Sequence, residues 1–161
     1  MAKLYPVGIQ DFKKIRTGGY VYVDKTALLH RLVSTGSYYF FGRPRRFGKS
    51  LMISTLEAYF EGKKELFEGL AMEQLEKDWI ERPVLHIDLN SQEYNSRKSL
   101  EDILDGYLTR WEEQYGRDPG GNSLSLRFGG VIRRAAKQTG QNVAILIDEY
   151  DKPLIQALGN E

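Results

Sequence analysis

Four short runs of apolar, aromatic or β-branched residues stand out along the chain and predict β-strands. They cover residues 20–23, 38–41, 84–89 and 143–147. The run at 38–41 is apolar throughout, which suits a strand that is covered on both faces. The run at 143–147 is the most apolar of the four and leads directly into two acidic residues.

Apolar residues at helical spacing predict helices between and after these strands. The helices cover residues 26–33, 49–60, 100–111 and 124–135, and a further helix begins at 153–158. Gly36, Gly62 and Gly140 lie where three of them should end, while Ser99 and Asp102 are spaced like a capping box at the start of a fourth. Nearly all-apolar strands that alternate with helices predict an α/β fold, with a mainly parallel sheet and helices on both faces.

Length and composition limit the classes of protein to which this chain can belong. Its 161 residues are enough for one domain over 1–161, with 1–36 as a lead-in and 37–161 as the core. The net charge is only +1, so any polyanion must bind to a local cluster. The absence of cysteine excludes a disulfide scaffold, a thiolate nucleophile and a cysteine-ligated zinc site.

The apolar runs are far shorter than the ~20 residues that span a bilayer. The first residues also lack the apolar segment of a signal peptide. We therefore expect a cytoplasmic protein with no membrane partner.

The segment between the predicted strand 38–41 and the predicted helix 49–60 has the composition of a phosphate-binding loop. Backbone N–H groups at a helix N-terminus have no internal partner and bind phosphate oxygens. Lys49 would reach the β- and γ-phosphates of a nucleotide, and the Ser50 hydroxyl would ligate Mg²⁺. The candidate nucleotide-binding residues are Arg43, Pro44, Arg45, Arg46, Phe47, Gly48, Lys49, Ser50 and Leu51.

This loop departs at one position from the general pattern G-x-x-x-x-G-K-[ST]. The pattern has a glycine where Arg43 stands, and Gly42 is one residue too early. Either the loop is one residue longer, or Arg43 adopts the turn with the help of Pro44. The arginines at 43, 45 and 46 either contact phosphate or form a basic lip that engages DNA or a partner chain. A basic turn with an incidental Gly-Lys-Ser sequence is the structural alternative.

The strand at 143–147 is followed by Asp148 and Glu149, as in a Walker B element. Asp148 would hold the Mg²⁺ shell and Glu149 would polarise the attacking water, with Lys49 as the second catalytic residue. Both acids belong at the carboxyl end of a parallel strand, where ligands of such sheets bind. A general base next to the carboxylate that binds Mg²⁺ favours hydrolysis of the nucleotide over phosphoryl transfer to a small molecule. The alternative is two solvated acids at a strand exit.

Several other polar residues have a structural interpretation beside a functional one. Tyr22 and Asp24 either build a base pocket or, for Asp24, cap the following helix. Asp88 is interpreted as a local cap or as a group that contacts the site residues without touching the ligand. Asp151 and Lys152 either extend the surroundings of the Mg²⁺ or form a surface charge pair with each other, and we favour the surface pair.

Four segments together resemble the bacterial predicted AAA-ATPase-like family, over essentially the whole chain. They are residues 6–12, 22–26, 43–50 and 147–153. The resemblance implies a three-layer P-loop NTPase of the additional-strand, AAA-like class, with ATP and Mg²⁺ as ligands. It also implies that members of the family commonly have arginine at the position of Arg43. In many members a restriction-endonuclease-like nuclease domain follows.

The resemblance also implies a strand after the Walker B element, with a sensor residue and an arginine finger beyond it. Because the chain ends twelve residues after Glu149, we interpret it as truncated after the Walker B strand. The leading hypothesis is Mg²⁺-dependent ATP hydrolysis in the full-length parent, coupled to an attached effector. A non-hydrolysing nucleotide sensor that controls assembly, and DNA binding by the arginine-rich loop, are the alternatives. The expected partners are ATP, a second copy of the chain, and DNA through a separate nuclease domain.

Overall fold

The computed structural model describes residues 4–42, 44, 47–90 and 97–158. Contacts between residues divide the chain into two compact units, Met1–Glu81 and Arg82–Glu161. The first unit is helical, and the second contains a small parallel sheet with helices. This confirms the α/β class and the parallel strand pairing. The single domain, the three layers and the additional-strand class stay predictions.

The first unit consists of helices packed around aromatic side chains. They are α1 (Phe12–Thr17), α2 (Thr26–Thr35), α3 (Lys49–Phe60), a 3₁₀ helix (Lys64–Phe67) and α4 (Ala71–Leu75). Phe12 and Phe67 are fully buried, with ring centroids 4.9 Å apart. Tyr22 lies edge-on to Phe12 at 5.2 Å. Because each such side chain stabilises the fold by about 1.5–3 kcal/mol when buried, this cluster is the main apolar core of the unit.

Asp24 connects the starts of two helices that are distant in sequence. One carboxylate oxygen accepts from the N–H and the hydroxyl of Thr26, at 2.8 and 2.7 Å, and the other accepts from the Ala71 N–H at 2.7 Å. The buried Thr26 hydroxyl in turn accepts from the Met72 N–H at 3.0 Å. The start of α2 is thereby attached to the start of α4. These contacts support the helix-cap interpretation of Asp24.

The predicted strands at 20–23 and 38–41 are wrong, because both segments are irregular in the structure. The Val21 N–H donates to the Leu4 carbonyl at 2.9 Å, inside a loop rather than a sheet. The Tyr39 hydroxyl donates back to the Leu32 carbonyl of α2. Tyr38 is 97% exposed, although the prediction covered it on both faces. Aromatic and β-branched residues favour a strand only where a neighbouring strand is present for them to pack against.

The second unit contains two parallel strands, β1 (Val84–Asp88) and β2 (Ala144–Asp148). They pair in register from Val84 opposite Ala144 to Asp88 opposite Asp148. Its helices are α5 (Arg97–Tyr115), α6 (Leu124–Thr139) and α7 (Lys152–Leu158). Both strands lie within one residue of their predicted positions. The capping box expected at the start of the helix is wrong, because Ser99 and Asp102 lie inside α5.

Helices α5 and α6 cover part of one face of this sheet. Leu85 packs in a cluster with Leu108 and Val131, and Ile87 packs with Ile103. The isoleucines of β2 that follow the same alternation, at 145 and 147, are 41% and 47% exposed. Within the described residues the sheet has two strands, so part of this face reaches solvent.

A buried ion pair joins α5 to α6 within this unit. Arg127 is 7% exposed and donates to both carboxylate oxygens of Glu112, at 3.0 and 2.8 Å, and to Asp105. The hydrogen bonds from Arg127 hold the pKa of Glu112 below its ordinary value. Because Arg127 occurs beside the apolar positions of α6, hydrophobic periodicity does not reveal this pairing.

Two helical glycines of this unit should respond to alanine by different amounts. A Cβ at Gly106 of α5 meets nothing within 4 Å, whereas one at Gly130 of α6 would lie 2.8 Å from Arg134 and 2.9 Å from Asp118. Those two side chains form an ion pair at 2.6 Å. We expect Gly106→Ala to raise the free energy of unfolding by up to about 1 kcal/mol. Gly130→Ala should gain less, by about 0.5–1 kcal/mol, because the ion pair must move. Equal gains in urea denaturation would contradict this prediction.

Acid should weaken the Asp24 connection. Burial raises the pKa of Asp24, but hydrogen bonds from Ala71 and Thr26 more than offset this, so the pKa lies below its ordinary value of 3.8. Its contribution to stability is therefore present above about pH 4 and is lost as the pH falls through the lower, folded-state pKa. We expect Asp24→Asn to be destabilised at neutral pH, and its difference from wild type to shrink below about pH 4. Urea denaturation across this range measures it, with the exposed Asp102→Asn as the control for loss of one carboxylate.

Candidate functional site

Helix α3 begins at the predicted phosphate-binding loop, as the sequence indicates. Gly48 precedes the helix with φ +76° and ψ 26°, in the left-handed region that glycine adopts at low cost. Its carbonyl accepts from the Met52 N–H at 3.0 Å, which is the first hydrogen bond of the helix. The N–H groups of Lys49, Ser50 and Leu51 therefore have no acceptor within the helix. The N-cap residue is a glycine, so it has no side chain that could accept a hydrogen bond from them.

The structure places only part of the predicted loop. Arg43, Arg45 and Arg46 lie outside the described residues. Pro44 and Phe47 are exposed, and Lys49 and Ser50 are half-buried in the first turn of α3. The side chain of Lys49 and the hydroxyl of Ser50 thus start beside the unsatisfied N–H groups. One helix start accordingly offers a cation, a hydroxyl and three backbone donors.

The other side of α3 is attached to the core of the first unit. The Phe12 N–H donates to Ser54 Oγ at 2.9 Å. Burial raises the pKa of the Tyr22 hydroxyl, and a hydrogen bond with Thr55 partly offsets this. Tyr22 is half-buried, and its ring packs edge-on against Phe12 in the core of this unit. These contacts hold the helix in place while its N-terminus stays accessible.

The predicted Walker B acids occur where β2 ends. Asp148 is 8% exposed, and one of its carboxylate oxygens accepts from the Glu149 N–H at 2.9 Å. Among the described residues, no ion pair includes Asp148. A buried carboxylate is costly unless it is compensated, so this arrangement suits a carboxylate that meets a cation.

Glu149 adopts a backbone conformation that is unusual for its residue type. Its φ is +53°, in the left-handed region where a Cβ costs roughly 1–2 kcal/mol. The residue is half-buried. Strained non-glycine residues of this kind occur often at functional positions.

Asp88 ends β1 opposite Asp148, so the two acids occupy equivalent positions at one edge of the sheet. The Leu89 N–H donates to the Asp148 carbonyl at 3.1 Å. The Asp88 carboxylate accepts from the Asn90 N–H at 2.8 Å. This supports the interpretation of Asp88 as a local cap.

Comparison with known proteins gives the family of this chain. The family model described as "Predicted AAA-ATPase" matches residues 6–161. The chain belongs to this family. One relative from Azotobacter chroococcum mcd 1, "Uncharacterized protein in vnfD 5'region", is 42% identical over 158 residues, which are 97% of this chain and 30% of the relative. The AAA-ATPase-like chain thus spans about 30% of the length of that relative. No solved structure matches it.

Two further findings concern other classes of site. No helix in the described ranges is both long and apolar enough to cross a membrane. The described part of the chain also contains no group of three or more histidine or acidic side chains that could hold a metal ion by itself.

The sequence did not reveal two features of the Walker B turn. One is the left-handed conformation of Glu149. The sequence did not indicate it, because the position holds neither glycine nor asparagine, the residues that usually adopt this conformation. The other is a hydrogen bond from Lys152 to Asn90, where the sequence suggested a surface pair with Asp151. The available signal was that Asn90 and Lys152 follow the ends of the two predicted strands, by two residues after β1 and by four after β2. The assignments of Lys49, Ser50, Asp148 and Glu149 to catalysis, nucleotide and metal stay predictions.

The strain at Glu149 should appear as a reversal of the usual preference for alanine over glycine. At φ +53° we expect Glu149→Gly to be more stable than Glu149→Ala by about 1 kcal/mol. At the exposed Glu113 of α5, the glycine variant should instead be less stable than the alanine variant by about 1 kcal/mol. Urea denaturation of the four variants measures both differences. The same sign at both positions would contradict the left-handed assignment.

Proposed function

We propose that this chain is the ATP-binding part of a Mg²⁺-dependent ATPase. The observation that carries the proposal is the start of α3, where Gly48 leaves three N–H groups without a helical acceptor beside Lys49 and Ser50. An anion is the natural partner of such a helix start. Membership of the AAA-ATPase-like family supports the phosphates of ATP as this anion.

The roles of the first unit's residues follow from their chemistry. The N–H groups of Lys49, Ser50 and Leu51 bind phosphate oxygens, and the Lys49 ammonium offsets charge on the β- and γ-phosphates. Gly48 provides the positive φ from which the helix begins. In the sequence, Pro44 and Phe47 precede this helix start, and the arginines at 43, 45 and 46 would provide further positive charge for phosphate.

The oxygen donors fit a magnesium ion. Mg²⁺ prefers hard oxygen ligands, and usually keeps substrate phosphates and water among them. The Ser50 hydroxyl and the Asp148 carboxylate are ligands of this kind, and Asp148 is buried without an ion-pair partner among the described residues. When bound, the ion would neutralise charge on the phosphate oxygens.

Glu149 favours hydrolysis over transfer to another acceptor. Its carboxylate would take a proton from the attacking water at an Oε atom. The backbone strain at this position is consistent with a side chain that is retained for its chemistry.

The proposal extends beyond this chain in two respects. The relative is more than three times as long as the matched segment, so an effector coupled to hydrolysis would lie in the rest of such a protein. A cytoplasmic location, self-association and DNA binding through a nuclease domain stay hypotheses from the sequence.

Thermal melting with and without Mg²⁺-ATP tests the phosphate cradle. A ligand at a hundredfold excess over its Kd stabilises the folded state by about 2.7 kcal/mol. We expect a higher Tm for wild type and for the exposed control Lys13→Ala, and no shift for Lys49→Ala, because the charge on the phosphates is then unmet. An equal shift for Lys49→Ala would show that the cradle is wrongly assigned.

Turnover separates an ATPase from a nucleotide sensor. Glu149→Gln should bind Mg²⁺-ATP like wild type and release little or no phosphate, because its amide cannot take a proton from water. Phosphate release by wild type that requires both Lys49 and Glu149 would support the ATPase. Binding without turnover in wild type would favour the sensor.

A further inference from the structure

The ammonium group of Lys152 connects the two strand ends of the second unit. Lys152 is the first residue of α7, and its Nζ donates to the Asn90 carbonyl at 2.6 Å and to Asn90 Oδ1 at 3.2 Å. Asn90 follows β1, whereas Lys152 follows β2. The contact therefore joins residues 62 positions apart in sequence.

Further hydrogen bonds complete a ring around this contact. Asn90 is attached to β1 through the Asp88 carboxylate, which accepts its N–H at 2.8 Å. The Lys152 N–H donates to the Glu149 carbonyl at 3.1 Å. The Leu89 N–H donates to the Asp148 carbonyl at 3.1 Å and closes the ring between the strands.

The β1 side of the ring is itself held in place. The Asp88 N–H donates to the Tyr107 hydroxyl at 3.0 Å, and this hydroxyl donates to the Asp88 carbonyl at 3.1 Å. Tyr107 belongs to α5, and its ring stacks on Trp111 at 5.5 Å. Lys152 is therefore attached to a segment that a helix fixes, and not to a loose end of the chain.

Glu149, whose backbone is left-handed, belongs to this ring of hydrogen bonds through its carbonyl. Such a conformation persists only where surrounding contacts stabilise it. Two contacts of the turn are local, from the Glu149 N–H to Asp148 and from the Lys152 N–H to Glu149. The Lys152 side chain adds a hydrogen bond to Asn90, at the end of the neighbouring strand. The contacts within the turn itself do not make this connection.

We propose that Lys152 is a positioning residue that holds the Glu149 turn through its bonds to Asn90. This inference rests on the proposed function, because it assigns Lys152 a role in the same hydrolytic step. The shorter bond goes to a backbone carbonyl, so the side chain of Asn90 contributes less than the Lys152 ammonium does.

Nuclear magnetic resonance of the 161-residue chain tests the turn without any nucleotide. A strong cross-peak between the Hα and the amide proton of Glu149 reports a positive φ. We expect this cross-peak in wild type, in Asn90→Ala and in Lys137→Met, which removes an exposed lysine of α6. It should weaken in Lys152→Met, while the amide signals of β1 and β2 stay in place. Lys152→Arg keeps a cationic donor and should restore part of it.

Kinetics of the same variants test the role in turnover. We expect Lys152→Met to lower kcat by about tenfold or more, while the Kd for Mg²⁺-ATP changes by less than about twofold. Lys137→Met should match wild type, and Lys152→Arg should recover part of kcat. A purely structural tether would lower thermal stability without this split between kcat and Kd.

The outcomes distinguish this inference from the proposed function. An unchanged Glu149 cross-peak in Lys152→Met would overturn the inference, as would a weakened cross-peak with unchanged kcat. Absence of phosphate release in wild type would refute the hydrolytic function instead. In that case the cross-peak alone would decide whether Lys152 holds the turn.

Discussion

Backbone N–H groups at the start of each helix need hydrogen-bond acceptors, and this requirement organises the first unit. Asp11 provides one at the start of α1, where its carboxylate accepts from the Lys14 N–H at 2.8 Å. Asp24 serves the starts of both α2 and α4. Helix α3 differs, because it begins at a left-handed glycine with no capping side chain. The N–H groups at the start of α3 therefore have no capping side chain as an acceptor and are available for an anion.

The second unit is organised by the register of two parallel strands. Pairing of Asp88 with Asp148 places the strand ends at one edge, where the turns that follow them come within reach of each other. Lys152 binds Asn90 across this short distance, and its own N–H donates to the carbonyl of Glu149, whose backbone is left-handed. The neighbouring strand end is itself held by α5, because the Asp88 N–H donates to the Tyr107 hydroxyl.

Prediction from the sequence succeeded where the signal is local. Helix α3 covers the predicted residues 49–60, and α6 ends at Gly140, whose φ is +69°. It failed at 38–41, where an aromatic run resembles a buried strand but is irregular in the structure. It also missed the Arg127–Glu112 pair, since charged residues within an amphipathic helix are normally expected at its surface.

The sequence alone determined the start of α3, the two paired strands and the acids that follow the second, because glycine preference, helical spacing and apolar runs act over a few residues. It also determined membership of the AAA-ATPase-like family, through motifs distributed along the whole chain. Only the tertiary structure decided which acids serve as caps, which carboxylate is buried without an ion-pair partner among the described residues, and that Lys152 binds Asn90. Those properties depend on groups that lie tens of residues apart in the chain, and their contacts exist only once the fold has formed.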